Sequence, residues 1–274
     1  MSPDDPKAPS YIHGHSPSVI RAHSARTAEN SCAYLLPHLT SSMRILDIGC
    51  GPGTITCDLA SLVPQGHVTG IDSTDSVLEQ ARACANERHL DNVTFAVGDI
   101  YALDFPEASF DVVHVHQVLQ HLGDPVQALK EMRRVAKPGG LVGAREADIA
   151  ASVWYPPSAG LDTWCDTYLK VAKWTGGMPD TGRRLKELAR LAGFEVGGVT
   201  VGASTWCFSS PEEKAFWCGT WKERVRGSGF RGKAIESGIA GQEDLERIAE
   251  AWDAFEWEED GWFVVVHGEV LYRV

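Results

Sequence analysis

The sequence predicts an α/β protein built on a mostly parallel sheet with helices on both faces. From residue 43 to residue 145, short apolar runs alternate with segments of helical periodicity, the pattern of parallel strands joined by crossover helices. A glycine-rich turn, Gly49-Cys50-Gly51-Pro52-Gly53, joins the first run to the first helical segment after it. Such turns lie at the carboxyl ends of parallel strands, where open α/β sheets bind their ligands.

Each element of this core follows from a local pattern. The apolar runs predict strands at 43–48, 66–72, 93–97, 110–115 and 141–145. Apolar residues spaced three or four apart predict helices at 17–40, 54–62, 76–89 and 125–136. Pro37 marks the end of the first helix, because proline breaks helical hydrogen bonding. Lys137-Pro138-Gly139-Gly140 turns the chain into the last of these strands.

The composition changes near residue 150, because all nine tryptophans lie at or after position 154. Periodicity in this segment predicts helices at 180–192, 211–226 and 242–256, and strands near 194–201 and at 262–274. We therefore expect three parts. They are an N-terminal tail and helix over the ligand (1–40), a ligand-binding core (41–150), and a segment that completes the sheet and adds an aromatic-rich, helical substrate cap (151–274).

Charge and cysteine usage exclude several classes of function. The net charge is −12, and the chain has no basic stripe of the kind that nucleic acid or an anionic membrane surface requires. The seven cysteines are scattered without a C-x-x-C pair, which argues against a metal site and indicates reduced thiols. The N-terminus has no apolar signal region, and the longest apolar run, Trp262–Val266, is too short for a membrane span. We expect a cytoplasmic protein of undetermined oligomeric state.

The loop after the first strand is the strongest functional signal. A dinucleotide-binding fingerprint reads G-x-G-x-x-G, but counted from Gly49 its third glycine falls on Thr54. Asp47 places a carboxylate beside the loop, where it would repel a pyrophosphate. With Gly49 and Gly51 allowing close backbone approach, the loop favours a cationic ligand such as the amino group and sulfonium of S-adenosylmethionine.

Carboxylates also follow the second and third strands. Asp72 closes the second strand, where it can accept hydrogen bonds from ribose hydroxyls; the alternative is a helix N-cap. Asp99 can accept from an adenine amino group while Ile100 packs on the ring; the alternative is a capped turn. Their common position beyond strand ends favours ligand binding for both.

The fourth strand ends in imidazole and amide side chains. Its carboxyl end places His116 and Gln117 at the ligand, whereas His114 lies within the strand and is interpreted as structural. His121 is a candidate general base, although a lone histidine in an apolar helix is more often structural. The sequence assigns no catalytic residue.

Together these residues resemble the class I S-adenosylmethionine-dependent methyltransferases, in particular the UbiE-like branch. The resemblance covers about residues 40–150 and rests on segments 46–54, 70–72, 98–100, 110–122 and 137–140. It implies S-adenosylmethionine as cofactor and a Rossmann-like sheet of seven strands, order 3-2-1-4-5-7-6, with one antiparallel strand. It also implies cofactor contacts for Asp47, Gly49, Asp72, Asp99, Ile100 and Gln117.

Segments 11–15 and 26–30 are similar to fungal UbiE-like enzymes of secondary metabolism, and within that group to gliotoxin-type thiomethyltransferases, which methylate dithiols. This resemblance implies that the N-terminal segment covers the cofactor and that Tyr11 contacts its methionine moiety; a disordered tail is the alternative. Aromatic inserts suit a flat, largely apolar substrate. The predicted substrate-pocket residues, for each of which core packing is the alternative, are Trp154, Tyr155, Trp164, Trp174 and Phe208.

The expected activity is methyl transfer to a small molecule. A thiol ionises near neutral pH, so the lack of an evident base favours S-methylation; O- or C-methylation of a phenol or quinol would need a base. Two alternatives remain open: a protein that binds S-adenosylmethionine without transferring its methyl group, and a non-catalytic partner subunit. A nicotinamide-dependent oxidoreductase is disfavoured by the missing third glycine.

Overall fold

The computed structural model describes Ile12 and residues 17–274 of the chain. Seven strands in this part form one sheet of order β3-β2-β1-β4-β5-β7-β6. The strands are β1 (Arg44–Ile48), β2 (His67–Asp72), β3 (Val93–Val97), β4 (Phe110–His116), β5 (Ala136–Tyr155), β6 (Val199–Phe208) and β7 (Trp262–Arg273).

Strands β1 to β5 pair in parallel, whereas β7 is antiparallel to both β5 and β6. The predicted order and the single antiparallel strand are therefore confirmed. Parallel pairing brings the carboxyl ends of β1, β2 and β4 to one edge of the sheet, which is where ligands bind in this architecture.

Helices cover both faces of the sheet. Ile45 and Leu46 are neighbours in β1 and point to opposite faces. Ile45 packs among residues of the helices at 28–32 and 54–62, and Leu46 among residues of the helices at 125–135 and 181–191. The helices are α1 (Pro17–Ser24), α2 (Ala28–Cys32), α3 (Thr54–Leu62), α4 (Asp75–Glu87), α5 (Pro125–Val135), α6 (Ala159–Trp174), α7 (Thr181–Leu191), α8 (Pro211–Gly227), α9 (Gly229–Glu236) and α10 (Gln242–Glu256).

Helices α6, α8, α9 and α10 form a cap around an aromatic cluster. Trp164 is fully buried at its centre, with ring centroids of Trp221 at 4.7 Å and Trp252 at 5.0 Å, both edge to face. Edge-to-face contacts are favourable for aromatic rings. Ile12 packs into the same cluster, so its side chain is part of the cap's apolar interior.

Five elements differ from the sequence-based expectation. The helix predicted over 17–40 breaks after Ser24, because Thr27 caps a new helix through a reciprocal capping box with Asn30. β5 extends from 136 to 155, far beyond the predicted 141–145, and β6 lies at 199–208 instead of near 194–201. Helices α6 and α9 were not predicted.

Within the described residues, no helix is long and apolar enough to cross a membrane, and no cluster of three His, Cys, Asp or Glu side chains could hold a metal ion. All seven cysteines are free thiols.

Candidate active site

A cavity of about 680 Å³, here called the main cavity, lies at the carboxyl ends of β1, β2 and β4. It also receives His23 and Arg26 from the N-terminal segment. Tyr11, the remaining predicted cofactor residue, lies outside the described residues. The predicted cofactor-binding residues that line the cavity are Asp47, Gly49, Gly51, Asp72, Asp99, Ile100, His116 and Gln117.

The glycine-rich loop forms one wall of the main cavity. Gly49 has φ of +69°, and a Cβ there would lie 2.4 Å from a methyl group of Val118, so no side chain fits. Gly51 has φ of +53°, but a Cβ there would meet only the His23 ring, at 4.0 Å. Open space beside Gly51 leaves its backbone accessible to a ligand in the cavity.

Asp72 ties this loop to the end of β2. Its Oδ2 accepts a hydrogen bond from the Gly51 amide at 3.0 Å, and its Oδ1 accepts one from the Thr74 amide at 3.1 Å. Each carboxylate oxygen has a second lone pair. Asp72 can therefore hold the loop and accept hydrogen bonds from a ligand together, so its two predicted roles are compatible.

Asp47 lines the cavity but is not an isolated anion. Its Oδ2 accepts from the Thr56 hydroxyl at 2.6 Å, and its Oδ1 lies 2.9 Å from Nδ1 of His114. Burial disfavours the charged imidazole, but contacts with Cys32 and Asp47 outweigh this and raise the pKa of His114 to about 10. The imidazolium offsets the carboxylate charge, which weakens the argument that Asp47 by itself attracts a cation.

Asp99 and Ile100 lie beyond the end of β3. Asp99 is exposed, and its Oδ1 accepts from the Tyr101 amide at 2.9 Å. Ile100 is buried in the same apolar cluster as Leu46, α5 and α7, and it also lines the cavity. An exposed carboxylate beside an apolar surface suits a flat heterocycle that carries an amino group.

Gln117 lies at the end of β4 in a left-handed conformation, with φ of +55°. Its Oε1 accepts from Nη2 of Arg26 at 2.8 Å, and its Nε2 donates to Nε2 of His267 at 2.9 Å. Left-handed backbone costs a non-glycine residue about 1–3 kcal/mol and is common at binding sites. The amide orientation is thereby fixed by two partners that sequence reasoning missed.

Glu146 supports the turn that follows Gln117. This buried carboxylate on β5 accepts backbone hydrogen bonds from Val118 and Leu119 at 2.9 Å and from Gln120 at 3.2 Å. Burial raises the pKa of Glu146 to about 7, although the three amides oppose the increase. Sequence reasoning missed this role, because Arg145, Glu146 and Asp148 interrupt the apolar pattern that is typical of a buried strand.

Two imidazoles beside the main cavity are poor bases. His116 accepts from Nη1 of Arg145 at 2.9 Å, and burial, with Arg26 and Arg145, lowers its pKa well below the usual value. Burial, with smaller contributions from Arg26, Lys233 and Arg224, lowers the pKa of His121 to about 3. Both rings are neutral at physiological pH.

A second cavity of about 50 Å³, here called the tryptophan cavity, adjoins the main cavity through four shared residues. Among the residues described as lining it are three tryptophans, Trp206 on β6 and Trp217 and Trp221 on α8. Trp206 also donates from Nε1 to the carbonyl of Asn30 at 2.9 Å, which links β6 to the N-terminal segment. The shared residues are His23, Arg26, Gln117 and His121, and the aromatic residues are Tyr168, Trp206, Trp217 and Trp221.

None of the predicted substrate-pocket residues lines either cavity. Trp164 is the fully buried centre of the cap cluster, Trp154 stacks on Phe263 at 5.7 Å, and Phe208 stacks on Trp217 at 4.4 Å. Tyr155 is 57% exposed at the far end of β5, and Trp174 ends α6. Trp154, Trp164 and Phe208 therefore pack in the cap cluster, whereas Tyr155 and Trp174 lie outside that cluster.

The comparisons agree with this architecture. A family profile described as a methyltransferase domain matches residues 39–193. The chain is 34% identical to an uncharacterized methyltransferase of Schizosaccharomyces pombe over 270 residues, 96% of each protein. A demethylmenaquinone methyltransferase of Lactococcus lactis is 42% identical, but over only 37% of this chain and 41% of its own. The crystal structure of the YcgJ protein of Bacillus subtilis has a similar fold, with a TM-score of 0.58, 16% identity and coverage of 89% and 97% of the two chains.

Proposed function

The chain belongs to the S-adenosylmethionine-dependent methyltransferases, and we propose that it methylates a thiol of a small, largely apolar molecule. The similarity to UbiE-like enzymes covers little more than a third of the chain, so it supports the cofactor-binding part and carries no weight for the acceptor. The choice of a thiol rests on the groups around the main cavity.

The residues of the main cavity fit the cofactor. Asp72 would accept hydrogen bonds from the ribose hydroxyls, and Asp99 would accept one from the adenine amino group. Ile100 would pack on the adenine ring. The open backbone at Gly51 and the fixed amide of Gln117 would orient the methionine part. When bound, S-adenosylmethionine supplies an electrophilic methyl group, and the tasks left to this chain are to orient an acceptor and exclude water.

The low basicity of His116 and His121, two of the three histidines that line the main cavity, supports a thiol acceptor. His116 and His121 line the main cavity, and burial together with neighbouring guanidinium groups holds their pKa values far below neutrality. A general base works best when its pKa lies near the operating pH, so these rings would deprotonate a phenol or a carbon acid poorly. A thiol ionises near neutral pH without such help.

We extend the proposal to dithiol secondary metabolites on the resemblance of segments 11–15 and 26–30 to gliotoxin-type enzymes. Arg26, within the second segment, lines both cavities. A dithiol would present two chemically similar acceptors to one site, so two successive methyl transfers are expected.

A methyl-transfer assay tests this function. Purified protein and isotopically labelled S-adenosylmethionine would be offered small dithiols, phenols, quinols and amines, with products identified by mass spectrometry. We expect labelled methyl groups on the dithiols and none on the matched bis-thioethers, which lack a free thiol. Transfer confined to quinols or phenols would contradict the thiol proposal and favour O- or C-methylation.

A further inference from the structure

Apolar side chains form much of the wall of the tryptophan cavity. Its volume of about 50 Å³, compared with about 680 Å³ for the main cavity, admits a compact group only. Flat groups pack well against indole rings. The cavity therefore suits a small, flat part of an acceptor whose remainder lies in the adjoining main cavity. Beside its four aromatic residues, the apolar lining consists of Ala22, Ala147, Ile149 and Val265.

The arginines among the described lining residues are already engaged by their neighbours. Arg26 donates to Oε1 of Gln117 at 2.8 Å, and its Cζ lies 5.7 Å from the centroid of the Trp206 ring. The Cζ of Arg224 lies 5.1 Å from the centroid of the Trp221 ring. Guanidinium groups stack favourably on indole faces. Neither arginine therefore gives a reason to expect an anionic ligand in this cavity.

Trp217 contributes a buried donor to the wall. The residue is 7% exposed, and its Nε1 has no hydrogen-bond partner in the described part of the chain. Stacking on Phe208, with ring centroids 4.4 Å apart and planes 9° from parallel, fixes the ring. Trp206 differs, because its Nε1 donates to the carbonyl of Asn30 at 2.9 Å. Buried donors are almost always satisfied by protein, water or ligand, so the indole N–H of Trp217 is available to an acceptor atom in the cavity.

Gln120 contributes the complementary group, a buried amide oxygen. The residue is 7% exposed, and none of the described residues donates to its Oε1. Its Nε2 donates to Nε2 of His121 at 3.2 Å, and the ring is neutral there because burial lowers the pKa of His121 to about 3. The main chain of Gln120 is also held, since its N–H donates to Glu146 at 3.2 Å and its carbonyl accepts from the Met178 amide at 2.8 Å. These contacts orient the side-chain amide and leave Oε1 as an acceptor.

We propose that the tryptophan cavity binds a secondary amide of the methyl acceptor. The indole N–H of Trp217 donates to the amide oxygen of the ligand, and Oε1 of Gln120 accepts from its N–H. A secondary amide has one donor and one acceptor on a flat, neutral group, which matches both unpartnered atoms and the aromatic wall. The proposal rests on the function proposed above, because it names a second part of the same acceptor. A site built to hydrogen-bond a substrate N–H rejects analogues that lack it, so the cavity should select amides over esters.

Binding of three matched thiols to the full chain, without methyl donor, tests the proposal. They are 3-mercapto-N-methylpropanamide, the ester methyl 3-mercaptopropanoate, which keeps the carbonyl but has no N–H, and 1-pentanethiol, which has neither. Titrations would follow the indole signals in proton–nitrogen NMR spectra. We expect the amide to bind at least tenfold more tightly than the ester and to shift the Trp217 signal downfield, while the Trp206 signal, already bonded to Asn30, stays in place. Equal affinities for amide and ester, or an unmoved Trp217 signal, would overturn the proposal and indicate that trapped water satisfies both atoms.

Variants assign the two hydrogen bonds. Gln120→Met should reduce the affinity for the amide at least tenfold and that for the ester less than twofold, because only the partner of the N–H is lost. Trp217→Phe, which also identifies the Trp217 signal by its absence, should weaken amide and ester alike and leave 1-pentanethiol unchanged. The matched control is Trp257→Phe, since Trp257 is 82% exposed and lines neither cavity, and it should change none of the three. Equal losses for all three thiols in Gln120→Met would mean that Gln120 only shapes the cavity, which contradicts the proposal.

The two proposals fail in different ways, because binding is measured without methyl transfer. Dithiol methylation together with equal binding of amide and ester would overturn the amide proposal and leave the function intact. Amide-selective binding without methylation of any thiol would have the opposite meaning, since the selectivity of the cavity would stand and the methyl acceptor would be an atom other than sulfur.

Discussion

Asp72 is the residue to which we assign the most direct contact with the cofactor. It bonds to the Gly51 and Thr74 amides, so its carboxylate is already oriented before a ligand arrives. Preorganised acceptors lose little conformational entropy on binding, which makes each hydrogen bond to them more effective. Asp75, three residues later, is an exposed residue of the first turn of α4 and does not line either cavity.

Changing Asp72 to Ala should weaken S-adenosylmethionine binding by about 1–3 kcal/mol, since hydrogen bonds to a charged group are lost and the loop is released. This corresponds to about a five- to 150-fold increase in Kd, measurable by calorimetry. Asp75→Ala serves as the control and should bind normally. Equal affinities in Asp72→Ala and the unaltered protein would rule out the ribose role.

Single residues at strand ends could be predicted from sequence, but their partners could not. Asp47, Asp72 and Gln117 were identified because parallel strands end at one edge of the sheet. The His114 partner of Asp47 depends on the register of β1 against β4, which places these two residues side by side. Register is a tertiary property, so the pairing that offsets the charge of Asp47 is invisible in the sequence.

Among the elements, those with strong local patterns were predicted to the residue. The helices Thr54–Leu62 and Gln242–Glu256 match their predicted bounds. β5 was predicted too short, because Arg145, Glu146 and Asp148 interrupt its apolar pattern, yet all three are buried and stabilised by partners elsewhere. α9 contains Gly229 and Gly232, which disfavour helix, so it depends on packing of the fully buried Phe230.

The turn at 118–120 is an element that Glu146 holds in place. Replacing Glu146 with Ala would leave three backbone amides without their acceptor and should destabilise the fold by about 3 kcal/mol or more. Amide hydrogen exchange at residues 118–120 should accelerate, and cofactor affinity should fall because Gln117 precedes this turn. Glu146→Gln, which retains one acceptor oxygen, should show smaller changes.

Glu131→Ala is the matched control for this turn. Glu131 also accepts a backbone hydrogen bond, from Leu103 at 3.0 Å, but it does not line the main cavity. Its loss should leave exchange at 118–120 and cofactor affinity unchanged. Unaltered exchange at 118–120 in Glu146→Ala would show that the turn does not need the carboxylate.

At the scale of the whole molecule, the sheet order was predicted through the family resemblance and the presence of a cap through composition, whereas the packing of the cap was not predicted. The cap cluster joins Trp164, Trp221 and Trp252 from three helices far apart in sequence. Composition alone showed that aromatic residues concentrate after residue 150, but packing decides which of them close the cap and which face the cavity. For that reason Trp154, Trp164 and Phe208 pack in the cap without lining a cavity. Trp217 and Trp221 belong to the cap cluster and also line the tryptophan cavity, together with Trp206.

The buried pair of Asp47 and His114 should make global stability depend on pH. The pKa of His114 is raised to about 10 in the folded protein, compared with about 6.5 in an unfolded chain. The folded state therefore binds one more proton than the unfolded state between these values, and the stabilisation present below pH 6.5 is lost as the pH rises through 10.

The free energy of unfolding should thus fall between pH 6.5 and pH 10, by at most about 4 kcal/mol from this group. Denaturant titrations at several pH values would measure the slope, and His114→Asn should flatten it. His67→Asn removes a partly exposed histidine whose pKa is lowered by burial and should keep the slope. If His114→Asn unfolds too readily to titrate, the imidazole resonances of His114 report its pKa in the unaltered protein. A pKa near 6.5, or equal slopes in the two proteins, would contradict the charged pair. The Asp47 carboxylate would then keep an uncompensated negative charge beside the main cavity, where it would attract the cationic part of the cofactor.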